Sequence, residues 1–149
     1  MYNAPIFIID DDKEELDMVQ EIWQELNFPN SFELFSSTDA LFDRLRTSDI
    51  NPFIIISDVN LPKIDGFTLR QKLAEDDTLR YKSIPFVFWS TTASNEQIKK
   101  AYDTCGHGFF LKGKNYAEIK DSLNRIMIYW MSSKVPVLPA SISHGNRKI

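Results

Sequence analysis

Five side chains stand out by type and by position. Asp10 and Asp11 close the apolar run that begins at Pro5. Asp58 follows Phe53-Ile54-Ile55-Ile56-Ser57, Ser90 follows Phe86-Val87-Phe88-Trp89, and Lys112 follows Phe109-Phe110-Leu111. Each polar group therefore falls at the end of a strand-like segment. Three carboxylates gathered in one crevice repel one another unless a cation joins them. An all-oxygen, charge-dense site suits Mg²⁺ or Mn²⁺, with water completing an octahedron. In such a site Asp58 can attack phosphorus as a carboxylate nucleophile and form an acyl phosphate. The metal and Lys112 would neutralise charge on the equatorial oxygens during transfer. Ser90 offers a short hydroxyl to a phosphoryl oxygen.

The elements that must position these groups alternate between two periodicities. Pro5 to Ile9 reads as a buried strand, and Leu16, Val19, Ile22, Trp23 and Leu26 follow at helical spacing. Asp12 with Glu15 three residues on resembles a capping box at the start of that helix. Phe32 to Phe35 has strand-like alternation. Thr38 to Leu45 reads as a helix with Ser37 as its cap. After the Phe53–Ile56 strand, the loop Asn60 to Gly66 carries the turn residues Pro62 and Gly66. A third helix holds Phe67, Leu69 and Leu73, with Leu79 near its end, and Asp65 is expected to cap it. Ser94 caps a fourth helix through Ile98, Ala101 and Tyr102. The last helix holds Ile119, Leu123, Ile126, Met127 and Trp130. Five strands alternating with five helices, the strands continuously apolar, imply a parallel sheet covered on both faces. In such sheets ligands bind beyond the carboxyl ends of the strands, where the five polar residues fall.

Composition agrees with one ordinary globular domain: 149 residues, 43% hydrophobic and 26% charged. A net charge of −4 leaves no basic footprint for nucleic acid. The single cysteine, Cys105, excludes an intrachain disulfide and fits a reducing cytoplasm. The start, MYNAPIFIIDDD, lacks signal-peptide features, and no apolar run approaches the roughly 20 residues that span a bilayer. The expected location is cytoplasmic, with no membrane contact. After Trp130 the pattern dissolves into a segment with Pro136, Pro139 and Gly145. It reads as a disordered tail or as an extended strap carrying Val135, Val137 and Leu138 onto an apolar groove.

The pieces IIDDD, IIISDVNLPKIDGF, PFVFWST and GFFLKG resemble, in order, the signatures of the response-regulator receiver family of two-component systems. They cover roughly Ala4 to Trp130. The resemblance implies a flavodoxin-like (βα)5 doubly wound sheet of strand order 2-1-3-4-5, an order for which a member of this family is a standard example. It implies a receiver domain over residues 4–131 and a C-terminal tail over 132–149. By the same resemblance Asp11 is a direct metal ligand, Asp10 acts through water, Asn60 lends its backbone carbonyl, and Asp58 is the phosphoacceptor. Ser90 and Phe109 become the switch pair and Lys112 the phosphoryl-binding lysine. The implied donor is a phosphohistidine on a sensor histidine kinase or histidine phosphotransfer protein. The implied output is a rearranged face of helix four, strand five and helix five, which contacts a downstream protein or a second phosphorylated copy. Three residues depart from the family pattern. Phe109 replaces a frequent tyrosine, Gly113 stands where proline is usual, and Thr91 is bulkier than its usual counterpart. Thr91 and Asn60 are expected to border the path of hydrolytic water.

Blander readings apply elsewhere. His107 and His144 have no second ligand at metal-binding spacing. Trp23, Trp89 and Trp130 read as packing residues, Cys105 as a small buried hydrophobe, and Lys99-Lys100 as a solvated helix face. Two other functions fit parts of the pattern. One is a haloacid-dehalogenase-type phosphatase with Asp10-Asp11-Asp12 as its nucleophile motif, although no acidic pair closely follows Lys112. The other is a degenerate receiver acting only as a scaffold. As a receiver, the chain would catalyse its own phosphorylation and dephosphorylation but serve mainly as a signalling module.

Overall fold

A computed structural model describes residues 4–47, 51–76 and 83–136. The elements run β1 (Ile6–Ile9), α1 (Lys13–Leu26), β2 (Phe32–Phe35), α2 (Thr38–Thr47), β3 (Ile54–Ser57), α3 (Gly66–Glu75), β4 (Phe86–Ser90), α4 (Asn95–Asp103), β5 (Phe109–Leu111) and α5 (Tyr116–Ser132). All strand pairs are parallel, in the order β2-β1-β3-β4-β5. The flavodoxin-like α/β architecture and the strand order implied by the resemblance are both present.

Strand alternation divides the core into two layers. Ile6, Ile8, Ile54, Ile56, Val87 and Trp89 face α1 and α5, where they meet Val19, Ile22, Leu123 and Met127. Phe7, Ile9, Ile55, Phe86 and Phe88 face the other way, against Leu41, Leu69, Leu73 and Ala101. Fully burying one such side chain stabilises the fold by about 1.5–3 kcal/mol. The central strands can therefore be apolar up to the closing Ser57 and Ser90 without exposing that surface. Trp23, Trp89 and Trp130 are buried as expected.

Helix starts follow local chemistry. Asp12 accepts hydrogen bonds from the Glu14 and Glu15 amides, Asp65 from the Thr68 amide, and Asn115 from the Glu118 amide. Ser94 and Gln97 form a reciprocal capping box at α4. Asp12 and Glu15 do not, because the Glu15 carboxylate turns to Lys112 instead.

Cys105 departs from its expected burial. It is exposed, with φ of 66°, because it carries the chain out of α4 in a left-handed turn. Its carbonyl accepts a hydrogen bond from Arg70 Nε at 3.0 Å. His107 lies in the next turn, and its Nδ1 accepts the Phe86 amide hydrogen at 3.0 Å. Burial and the Arg70 charge lower its pKa. Val135 packs part-buried against the α1/α5 layer. Leu79, Val137, Leu138 and His144 lie outside the described residues.

Candidate functional site

Strand register carries the polar residues to one edge of the sheet. Ile9 pairs with Ser57, and Ser57 with Phe88. The Asp58 amide donates to Ile9 O at 3.0 Å, and the Lys112 amide to Ser90 O at 2.7 Å. Asp10, Asp58, Ser90 and Lys112 thus leave four adjacent strands at the same end.

Lys112 is the centre of the arrangement. Its side chain is 2% exposed, and its ammonium donates to Asp10 Oδ2 at 2.8 Å, Glu15 Oε1 at 2.7 Å and Asp58 Oδ2 at 3.3 Å. An ammonium has three N–H donors, so each carboxylate takes one. The Trp89 ring lies 5.4 Å from the same nitrogen. Trp89 is fixed in turn: its Nε1 donates to Ser122 Oγ at 2.7 Å, which donates to Leu111 O at 2.7 Å. Burial disfavours the ammonium, but Asp10 and Asp58 outweigh it and hold the Lys112 pKa above the ordinary lysine range.

The three carboxylates are not equivalent. Asp10 is buried, and its Oδ1 accepts the Asp12 amide at 2.9 Å. Burial opposes its ionisation, yet the hydrogen bond shared with Glu15 and the nearby ammonium hold its pKa low. Glu15 shows the opposite balance. Burial first, and then the hydrogen bond to Asp10, push it up to about 7 against the pull of Lys112. Asp58 is raised by burial, with Lys112 lowering and Asp10 raising its pKa. Its Oδ1 accepts the Asn60 amide at 3.2 Å.

The site's backbone is held by small residues. Ser57 Oγ donates to Asp58 O at 2.8 Å. A Cβ on Gly66 would stand 2.4 Å from that same carbonyl, so only glycine lets α3 begin so close to Asp58. Gly113 has φ of 97°, a conformation closed to the proline usual at this place, whose ring fixes φ near −65°.

The remaining site residues fall around this core. Ser90 is buried, and its Oγ accepts the Thr92 amide at 3.3 Å. Asp11, Asn60 and Thr91 are exposed. Phe109 is half-buried, its ring centroid 6.3 Å from that of Phe88. Carboxylate oxygens of Asp10, Glu15 and Asp58 all lie within 4.8 Å of one another, and Asp11 does not join that group. Such an all-oxygen donor set fits a hard divalent cation. Glu15 is the member that sequence reasoning missed. Its signal is the acidic density of DDDKEE, for which helix capping alone is a sufficient local explanation.

A five-stranded parallel sheet of this order, with acids and a buried lysine at its carboxyl edge, defines the receiver class of flavodoxin-like folds. Residues 6–124 match the response regulator receiver domain family, and the chain belongs to it. Chemotaxis protein CheY-3 of Vibrio cholerae is 27% identical over 124 residues, covering 83% of this chain and 92% of that protein. The probable methanogenesis regulatory protein FilR2 of Methanothrix harundinacea is 23% identical over 130 residues, covering 85% and 83%. Among solved structures, the phosphorylated cyanobacterial phytochrome response regulator RcpA superposes with a TM-score of 0.80 at 26% identity, covering 91% of this chain and 99% of that one. The Mn²⁺-bound form of response regulator Rcp1 superposes at 0.77 with 21% identity, covering 90% and 99%, a likeness of fold alone. Family membership sets aside the dehalogenase-type alternative. That reading also needed a nucleophile from the Asp10–Asp12 motif, and Asp10 is buried with both oxygens engaged. Among the described residues no helix is long and apolar enough to cross a membrane.

Proposed function

We propose that the chain is a phosphorylation-controlled signalling module in which Asp58 accepts a phosphoryl group from a phosphohistidine of a sensor kinase or phosphotransfer protein. One observation carries the choice of Asp58. Of the two aspartates on the Lys112 ammonium, Asp10 has a side chain 3% exposed and Asp58 one 15% exposed. Of these two strand-end aspartates, Asp58 is the one that combines contact with the buried cation and access from outside.

The transfer balances simply. An Asp58 carboxylate oxygen bonds to phosphorus as the donor's N–P bond breaks, and the donor ring, already protonated on its other nitrogen, leaves as neutral imidazole. Lys112 turns its Asp58-directed N–H to a phosphoryl oxygen, and the Ser90 hydroxyl donates to another. Asp10 and Asp58, with Asp11 and the Asn60 carbonyl by family pattern, would hold Mg²⁺ or Mn²⁺. When bound, that ion screens the carboxylates and neutralises phosphoryl charge. Phe109 has no phenol, so its switching rests on ring packing against the Phe88 layer rather than on a hydrogen bond.

Output would pass through α4, β5 and α5. Tyr102 on α4 and Leu111 on β5 are each 58% exposed, large apolar groups suited to a partner protein or a second phosphorylated copy. Such a module would act in the cytoplasm. The test is incubation with acetyl phosphate and Mg²⁺ followed by intact mass measurement. One phosphoryl adduct is expected, absent in Asp58→Asn and abolished by EDTA. Full labelling of Asp58→Asn would overturn the assignment.

A further inference from the structure

Phosphoryl transfer as proposed above makes no use of Glu15, yet Glu15 makes the shortest contact to Lys112. We propose that Glu15 is a positioning residue: it takes one of the three Lys112 N–H donors, so that the ammonium is not committed wholly to the Asp10 and Asp58 oxygens near which a divalent cation and the incoming phosphoryl group would sit. The proposal rests on Asp58 being the phosphoacceptor.

The geometry supports this in three ways. First, Glu15 at 2.7 Å and Asp10 at 2.8 Å hold the ammonium about equally, while the nucleophile Asp58 at 3.3 Å holds it less closely, so Glu15 is a full partner of the lysine. Second, a buried ammonium must use its donors on the acceptors within reach. Asp10 Oδ1 is engaged by the Asp12 amide. Without Glu15, Lys112 would concentrate on Asp10 Oδ2 and Asp58 Oδ2, two of the carboxylate oxygens of the candidate cation site.

Third, Glu15 is anchored independently of the reacting groups. Asp10, Asp58 and Lys112 all follow strands, whereas Glu15 lies in the first turn of α1. That turn is fixed by the Asp12 cap, which accepts the Glu15 amide itself at 3.3 Å. The helix is further held by buried Val19, Ile22 and Trp23 and by the Lys120–Glu25 ion pair to α5 at 2.9 Å. The Trp89 ring bounds the ammonium as well. Glu15 can therefore remain a fixed partner while Asp58 changes from carboxylate to acyl phosphate.

The test compares Glu15→Gln, which keeps an acceptor oxygen, with Glu15→Leu, which removes it. Both are made in the full chain, with circular dichroism to verify folding. Labelling by acetyl phosphate is timed at Mg²⁺ concentrations saturating for each variant. A misplaced catalytic group can cost up to ~100-fold, so Glu15→Leu should slow labelling about tenfold and Glu15→Gln should recover part of that loss. In parallel, ¹⁵N-lysine NMR without metal should show a protected ammonium signal for Lys112 in wild type. Loss of that signal in Glu15→Leu and its retention in Glu15→Gln would support the anchor.

Labelling of both variants within about twofold of wild type, or an equal loss in both, would overturn it, since an equal loss would mean that charge alone matters. An unchanged ammonium signal in Glu15→Leu would overturn it too, even if that variant labels slowly. Absence of any adduct on wild-type protein would strike instead at Asp58 as phosphoacceptor, and the NMR comparison would still decide the anchor.

Discussion

Removing the Glu15 titration should change how the stability of the metal-free protein depends on pH, in a defined direction. Folding carries the Glu15 carboxyl from 4.5 to about 7, chiefly because burial disfavours its ionised form. A raised pKa contributes stability that is fully present below 4.5 and is lost as the pH climbs through about 7. Carrying a carboxyl that far corresponds to about 3 kcal/mol. With the Glu15 side chain 21% exposed, we discount this to about 2 kcal/mol for solvent screening. Glu15→Gln lacks the titration but keeps an oxygen for Lys112. Measured by urea unfolding in EDTA, with the buried tryptophans as the fluorescent probe, the variant should gain about 2 kcal/mol on wild type between about pH 5 and about pH 8. Asp58, also raised, acts in the same direction in both proteins and largely cancels in the difference. A difference flat to within about 0.5 kcal/mol would mean that Glu15 is ionised throughout, and the burial argument would fail.

Other perturbations test neighbouring parts of the site. Lys112→Met removes the ammonium from a group of three carboxylates and should cost about 3–5 kcal/mol in urea unfolding at neutral pH without metal; a cost below about 1 kcal/mol would contradict the ion contacts assigned to it. Gly66→Ala forces a Cβ against Asp58 O at 2.4 Å, so unfolding should show a loss of about 1–3 kcal/mol and acetyl phosphate labelling should slow with it. Asp12→Ala removes the α1 cap and should lower stability by about 1 kcal/mol while leaving the labelling site on Asp58 unchanged, as peptide mapping would show. Thr91 is exposed beside the buried Ser90, and Thr91→Ala should change the rate at which the adduct decays; an unchanged decay would remove Thr91 from the path of hydrolytic water.

The fold was legible because its central strands β1, β3 and β4 are buried on both faces. Runs such as Phe53–Ile56 and Phe86–Trp89 are apolar at every position, which only a covered parallel sheet explains. Helix starts were legible where one side chain satisfies a local amide, as at Asp65 and Ser94. Cys105 was not, because apolar character predicts burial only when the backbone is regular. Here a left-handed turn, fixed by Arg70 on its carbonyl, turns the residue outward. Strand order was not available from alternation at all. It depends on which strands pair, and it came from the likeness of motifs to a known family.

Glu15 shows why the site was less legible than the fold. The pattern Asp12-x-x-Glu15 has a complete local explanation, and half of it is true: Asp12 does cap α1. What sends the Glu15 carboxylate elsewhere is an ammonium 97 residues further along the chain, delivered by β5. A capping hydrogen bond at an exposed helix end contributes about 1 kcal/mol. A buried ammonium with an unmet donor costs more than that, so the distant demand overrides the local one. The same comparison explains why Lys112, a surface lysine by residue type, is among the most buried polar groups. Asp10 and Asp58 at neighbouring strand ends create a negative charge that the fold cannot leave uncompensated. Lys112 supplies the compensation, and a divalent ion bound there as proposed would have to share those oxygens with it.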